Sequence, residues 1–230
     1  HDIRTHVRKQ IVDALTSGPG QPMPSCSFIS YSMGTAVLHD TLHELLSDPD
    51  DAGDFANLGI RLYASVANVS KALASIADPF ESAVRPIGVA VRTEVPSSVR
   101  QFVNVHHVAD PVAWLGMFRP PWPTDRRYYS DVQIDRLKWA DVHGLVRYLE
   151  HPRVHLPILR QVCNTTIDEA TEARAVEEYD HAVGDPYPAV LQSLHDQTEK
   201  LGRAWDRRAG KGPVDFTVAM VEAAKVLARA

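Results

Sequence analysis

A serine hydroxyl attacks a carbonyl at neutral pH only when a base takes its proton and a third group orients that base. Three short stretches of this chain supply those residue types. Ser32 lies in Phe28-Ile29-Ser30-Tyr31-Ser32-Met33-Gly34-Thr35-Ala36-Val37, where an apolar run meets a small-X-Ser-X-Gly turn and then a helix-like pattern. Small residues two before and two after a serine let the backbone turn sharply. The helix that follows aims its first N–H groups at charge developing on the serine. Asp110 stands in Val105-His106-His107-Val108-Ala109-Asp110-Pro111-Val112-Ala113, just past a strand-like run. The proline after it imposes extended or turn geometry, which would bring the carboxylate out at the sheet edge where sites in such folds gather. His143, followed by Gly144, falls in a loop between a weak strand pattern and a helical one.

Other chemistry-bearing residues read less sharply. His106 and His107 are neighbours on a strand and so point to opposite faces, and His-His-X-X-Asp offers no third ligand at a metal-site spacing. Asp48, Asp50 and Asp51 lack the glutamate and glycine positions of a calcium loop, which leaves a solvated acidic face. No metal and no cofactor is expected. Trp114, Phe118, Trp122, Tyr128 and Tyr129 cluster after Asp110, either as an apolar cap over an acyl group or as a packed core edge.

The elements that must position these residues follow from periodicity. Ile3, Val7, Ile11, Val12 and Leu15 recur at spacings of three and four, which predicts a helix from Asp2 to Leu15. Glycines and prolines at 18–24 forbid helix. A short strand over 25–30, the turn at Ser32 and a helix from Gly34 to Leu46 come next. Strands are then expected at Ile60–Val66 and Gln101–Val108, a short helix at Asn68–Ala77 and a weaker strand at Asp131–Trp139. The segment 119–125 is proline-broken loop. Helical patterns run from Leu145 to Leu149 and resume past residue 165, with a loop at Gly210-Lys211-Gly212-Pro213. Alternating strands and helices predict an α/β fold, a mostly parallel sheet flanked by helices. The division expected is a core over 1–164 and a helical C-terminal extension over 165–230, packed on the same domain.

Composition narrows the function classes. With 230 residues, 44% hydrophobic and 23% charged, the chain suits one α/β domain with a sizeable core. A formal net charge of -5 and scattered basic residues argue against a nucleic-acid partner. No apolar run approaches the roughly 20 residues that span a bilayer. The two cysteines, Cys26 and Cys163, lie far apart and read as structural thiols of a reducing compartment, hence a cytoplasmic expectation.

Ser30-Tyr31-Ser32-Met33-Gly34 resembles the His-Ser-Met-Gly elbow of many lipases and esterases of the α/β-hydrolase superfamily. Asp110-Pro111-Val112-Ala113 is similar to the acid loop of lipase-type and phospholipase-type members, and His143-Gly144 with Tyr148-Leu149 to their histidine loop. The order nucleophile, acid, histidine is that of the superfamily. The resemblance covers about residues 3–151 and implies a carboxylic ester substrate, small or lipid. It implies attack by Ser32, proton transfer by His143, orientation by Asp110 and an oxyanion donor in the backbone N–H of Met33. The family's second oxyanion donor follows an early strand. The chain opens His1-Asp2-Ile3-Arg4, so that strand and donor are expected upstream of it. Since one donor is worth about 100- to 1000-fold in turnover, the sequence leaves two expectations for the chain alone, a serine ester hydrolase or an incomplete fragment without activity. The rival expectation is a hydrolase-like scaffold kept for binding or assembly, in which His143 stands away from Ser32. A hydrolase-like acyltransferase is not separable by sequence.

Overall fold

The structure, a computed structural model, describes residues 2–16, 25–47, 55, 58–74, 99–108, 110, 118, 129–136 and 143–184. Helix α1 (Asp2–Thr16) precedes strand β1 (Ser25–Tyr31), helix α2 (Met33–Ser47), strand β2 (Gly59–Val66) and the short helix α3 (Ser70–Ala74). Strands β3 (Phe102–His107) and β4 (Tyr129–Ile134) follow, then helices α4 (Leu145–Glu150), α5 (Pro152–Val162) and α6 (Glu169–Val183). The four strands form one sheet in the order β1-β2-β3-β4, all parallel.

Parallel strands need crossovers that cover the sheet, and their residues are therefore apolar on both faces. Strand β2 shows how both faces are served. Cys26 pairs with Ile60 and Ser27 with Leu62, so Arg61 is an extra residue that resets the alternation. Ile60 and Tyr63 thus join Phe102 on one face, packed against Ile11 and Leu15 of α1 and Leu42 and Leu45 of α2. Leu62, Ala64 and Val66 join Val103, Val105 and Ile134 on the other, under Tyr148 of α4 and Val154 of α5. Arg4 of α1 bonds Asp40 of α2, whose side chain is fully buried, and also Glu44 at 3.1 Å.

One helix departs from the sequence reading. Helical patterns are expected over Leu145–Leu149 and past residue 165 with none between, yet α5 runs through Pro152-Arg153-Val154-His155-Leu156-Pro157. Pro152 occupies the first turn, where a missing N–H costs nothing, and His151 caps the helix by accepting the Arg153 N–H at 3.1 Å. Strand β4 begins two residues before the expected Asp131. The expected loops at 18–24, 48–53 and 119–125, residues 75–77 and 137–139, and everything past Gly184 lie outside the described residues. Among the described residues no helix is long and apolar enough to cross a membrane.

Candidate active site

Strand β1 delivers Ser32 into a turn that only strain can produce. Its φ is 52°, the left-handed region that a residue with a Cβ avoids. The turn is pinned on both sides. The Ser32 N–H donates to the carbonyl of Val66 at 3.0 Å, and its own carbonyl accepts the N–H and hydroxyl of Thr35 at 2.9 and 2.6 Å. Ser30 is enclosed, its hydroxyl donating to the Ala64 carbonyl and meeting Ser65 Oγ, each at 3.2 Å. Gly34 is not enclosed: a Cβ there would meet nothing within 4 Å. The small-residue requirement inferred from sequence therefore acts at position 30, and not at position 34 among the described residues.

Asp110 stands three residues past the end of β3, fully buried, with its N–H on the carbonyl of His107 at 3.1 Å. His143 precedes Gly144, the N-cap of α4. These separate elements bring the three residues together. Ser32 Oγ lies 3.0 Å from His143 Nε2, and His143 Nδ1 lies 2.8 Å from Asp110 Oδ2. A carboxylate only accepts, so Nδ1 carries the ring hydrogen and Nε2 turns a lone pair to the Ser32 hydroxyl. That is the tautomer a base needs to take a proton from oxygen. Met33, the exposed first residue of α2, follows Ser32 directly, and a first-turn N–H has no partner within its own helix.

Two tyrosines complete the array, and neither role was read from sequence. Tyr31 donates its hydroxyl to the carbonyl of His143 and packs its ring 5.3 Å from the imidazole, fastening the histidine loop to the serine turn. Tyr148, fully buried, donates to Asp110 Oδ2 at 2.7 Å and accepts the His107 N–H at 3.1 Å. Burial, and then the Asp110 charge, push its phenol far above the ordinary range, so it remains a donor. A helical tyrosine among apolar neighbours reads as core. Its spacing of five from His143, with Gly144 starting the helix between them, was the available signal.

Behind the turn runs a buried polar layer. Thr35 Oγ1 accepts the Val69 N–H at 3.2 Å, Asn68 accepts the Ser70 N–H at 3.0 Å, and Asn68 donates to Asn104 at 3.0 Å. Asn104 in turn donates to Asp131 at 2.8 Å. Buried polar groups left unmet cost free energy, so these bonds tie the segment after β2 to the start of α2 and, through Asn104 and Asp131, to the middle of β3 and β4.

The remaining sequence candidates fall elsewhere. His106 lies 3.5 Å from Asp131, and His107 lies under Tyr148; burial lowers the His107 imidazole to about 4. Among the described residues no group of three or more metal-ligating side chains is assembled. Phe118 packs 5.6 Å from Phe102, and Tyr129 meets the same ring edge-on at 5.5 Å, which makes both part of the core edge. Trp114, Trp122 and Tyr128 lie outside the described residues. Cys26 is half-buried and Cys163 exposed, both as free thiols. A cavity of about 1530 Å³ between β4 and helices α5 and α6 is lined by both signs of charge, including Asp131, Arg136, Arg160 and Glu172, and includes none of Ser32, Asp110 or His143. Comparison with protein-family models, with curated proteins and with solved structures gives no match to this chain.

Proposed function

We propose that this chain is a serine hydrolase of α/β-hydrolase type that cleaves a carboxylic ester, small or lipid, through an acyl-enzyme on Ser32. The observation that carries the proposal is the unbroken Ser32–His143–Asp110 hydrogen-bonded array, at 3.0 and 2.8 Å, in the expected chain order. A scaffold kept only for binding would leave His143 free to stand more than about 5 Å from the serine, beyond proton-transfer reach. The close contact therefore favours catalysis over that rival.

In the proposed reaction Ser32 Oγ attacks the ester carbonyl while His143 Nε2 takes the hydroxyl proton, and Asp110 balances the imidazolium charge. The carbonyl oxygen, now negative, faces the Met33 N–H at the start of α2. As the tetrahedral carbon collapses, His143 returns the proton to the leaving alkoxide and an alcohol departs. Water, deprotonated by the same nitrogen, then releases the acid. Transfer of the acyl group to a second alcohol would use the same acyl-enzyme, and the products distinguish the two. Together with the thiols of Cys26 and Cys163, this chemistry is compatible with a cytoplasmic setting.

Hydrolysis of a short p-nitrophenyl ester tests the proposal. A burst of nitrophenolate stoichiometric with protein, followed by slower turnover and abolished in Ser32→Ala, is expected. Hydrolysis that proceeds undiminished in Ser32→Ala would overturn it.

A further inference from the structure

We propose that Tyr148 is a positioning residue for the array, holding Asp110 and moderating the charge that Asp110 presents to His143. The kinetic consequence rests on the hydrolase reading above; the effect on His143 itself does not.

A phenol has one hydrogen, and the surroundings of Tyr148 decide where it goes. The His107 backbone N–H, 3.1 Å away, can only donate, so it must meet a lone pair on the phenolic oxygen. Asp110 Oδ2, 2.7 Å away, can only accept, so it must receive the hydrogen. The orientation of the hydroxyl is thereby forced. The oxygen it reaches is the same one that accepts His143 Nδ1 at 2.8 Å. Two donors on one carboxylate oxygen disperse its charge and stop the carboxylate from rotating.

The helix explains why both donors arrive together. Gly144 caps α4, with His143 just ahead of the cap and Tyr148 one turn inside. A single short helix thus carries the imidazole and the phenol to one oxygen. Its packing fixes the angle, because Tyr148 is fully buried in the cluster of Val66, Val105, Ile134 and Val154. The titratable neighbours of the pair are His107 on β3, neutral through burial, with Tyr31 on β1 and His143 itself on the third side. Asp135 also acts on His107, while the charge that acts on the Tyr148 phenol is that of Asp110, so removal of the Tyr148 donor falls first on Asp110.

Without the phenolic donor the charge on Asp110 is more concentrated and holds the His143 imidazolium more tightly. The apparent pKa of His143 should then rise. The test follows the His143 ring by NMR across pH in the wild-type chain, in Tyr148→Phe, and with 3-fluorotyrosine introduced at position 148. Phe keeps the ring and removes the donor; fluorotyrosine keeps the shape and strengthens it. Expected is a rise of about 0.5 to 1 pH unit with Phe and a fall with fluorotyrosine, with the acid limb of kcat/KM for the p-nitrophenyl ester moving the same way. A purely structural tyrosine would leave both titrations where they are, and that result overturns the inference. Should Tyr148→Phe fail to fold, the fluorotyrosine titration decides alone. Should the wild-type chain show no ester turnover, the hydrolase reading fails while the NMR titration still decides the role of Tyr148.

Discussion

At Ser32 the backbone carries the cost of presenting a side chain. A φ of 52° is unfavourable by roughly 1–2 kcal/mol for a residue with a Cβ and nearly free for glycine. Such strain persists where surrounding bonds over-determine the turn, and here Val66 and Thr35 do so from opposite sides. Ala67, at φ 50°, bends the end of β2 in the same sense beside it. Ser32→Gly and Ser32→Ala both remove the hydroxyl, but only glycine relieves the turn. In thermal melts Ser32→Gly should therefore be the more stable of the two by about 1 kcal/mol; equal stabilities would mean that the turn is unstrained. This turn was legible in sequence from Ser30, Ser32 and Gly34 together. The reason for its smallness was only half legible, since contacts from the neighbouring strand enclose Ser30 and, among the described residues, nothing within 4 Å would meet a Cβ at Gly34.

Among the elements, α4 and α5 divide the work on one face of the sheet. Helix α4 brings His143 and Tyr148 to Asp110, and α5 seals that face with Val154. The junction between them is His151, fully enclosed, which accepts the Arg153 N–H at Nδ1. That bond exists only for the neutral imidazole, and burial lowers the ring to about 4, below its ordinary 6.5. A histidine with a depressed folded-state value is protonated first in the unfolded chain. Its contribution to stability is complete above about pH 6.5 and is lost as the pH falls toward 4. Urea melts should show stability declining through that window, and His151→Asn, which keeps a cap acceptor but does not titrate, should flatten part of the decline. A wild-type stability that holds constant from pH 6.5 to 4 would contradict the capping role. The position of α5 was hidden in the sequence because Pro152 and Pro157 are residues that disfavour a helix interior. Pro152 is harmless at a helix start, and the signal for that start was a histidine, which is a rarer cap than serine or aspartate. The position of Tyr148 was visible, but its role was not, because hydrogen bonds between distant segments leave no periodicity.

Across the whole molecule, four parallel strands set their carboxyl ends along one edge, and the site draws on three of them. Ser32 follows β1, Asp110 follows β3, and β2 supplies the Val66 carbonyl that pins the turn. Short segments rich in strand formers alternating with helical periodicity were enough to anticipate a mostly parallel sheet. The strand order and the bulge at Arg61 were not, because they depend on pairing between strands and not on any one of them. On the proposed reading this sheet holds Ser32 as an activated nucleophile. A fluorophosphonate probe, followed by intact mass measurement and peptide mapping, tests it most directly. A single adduct on Ser32, absent in Ser32→Ala and formed at least tenfold more slowly in His143→Ala, is expected. No adduct on the wild-type chain, or one that survives Ser32→Ala, would contradict it.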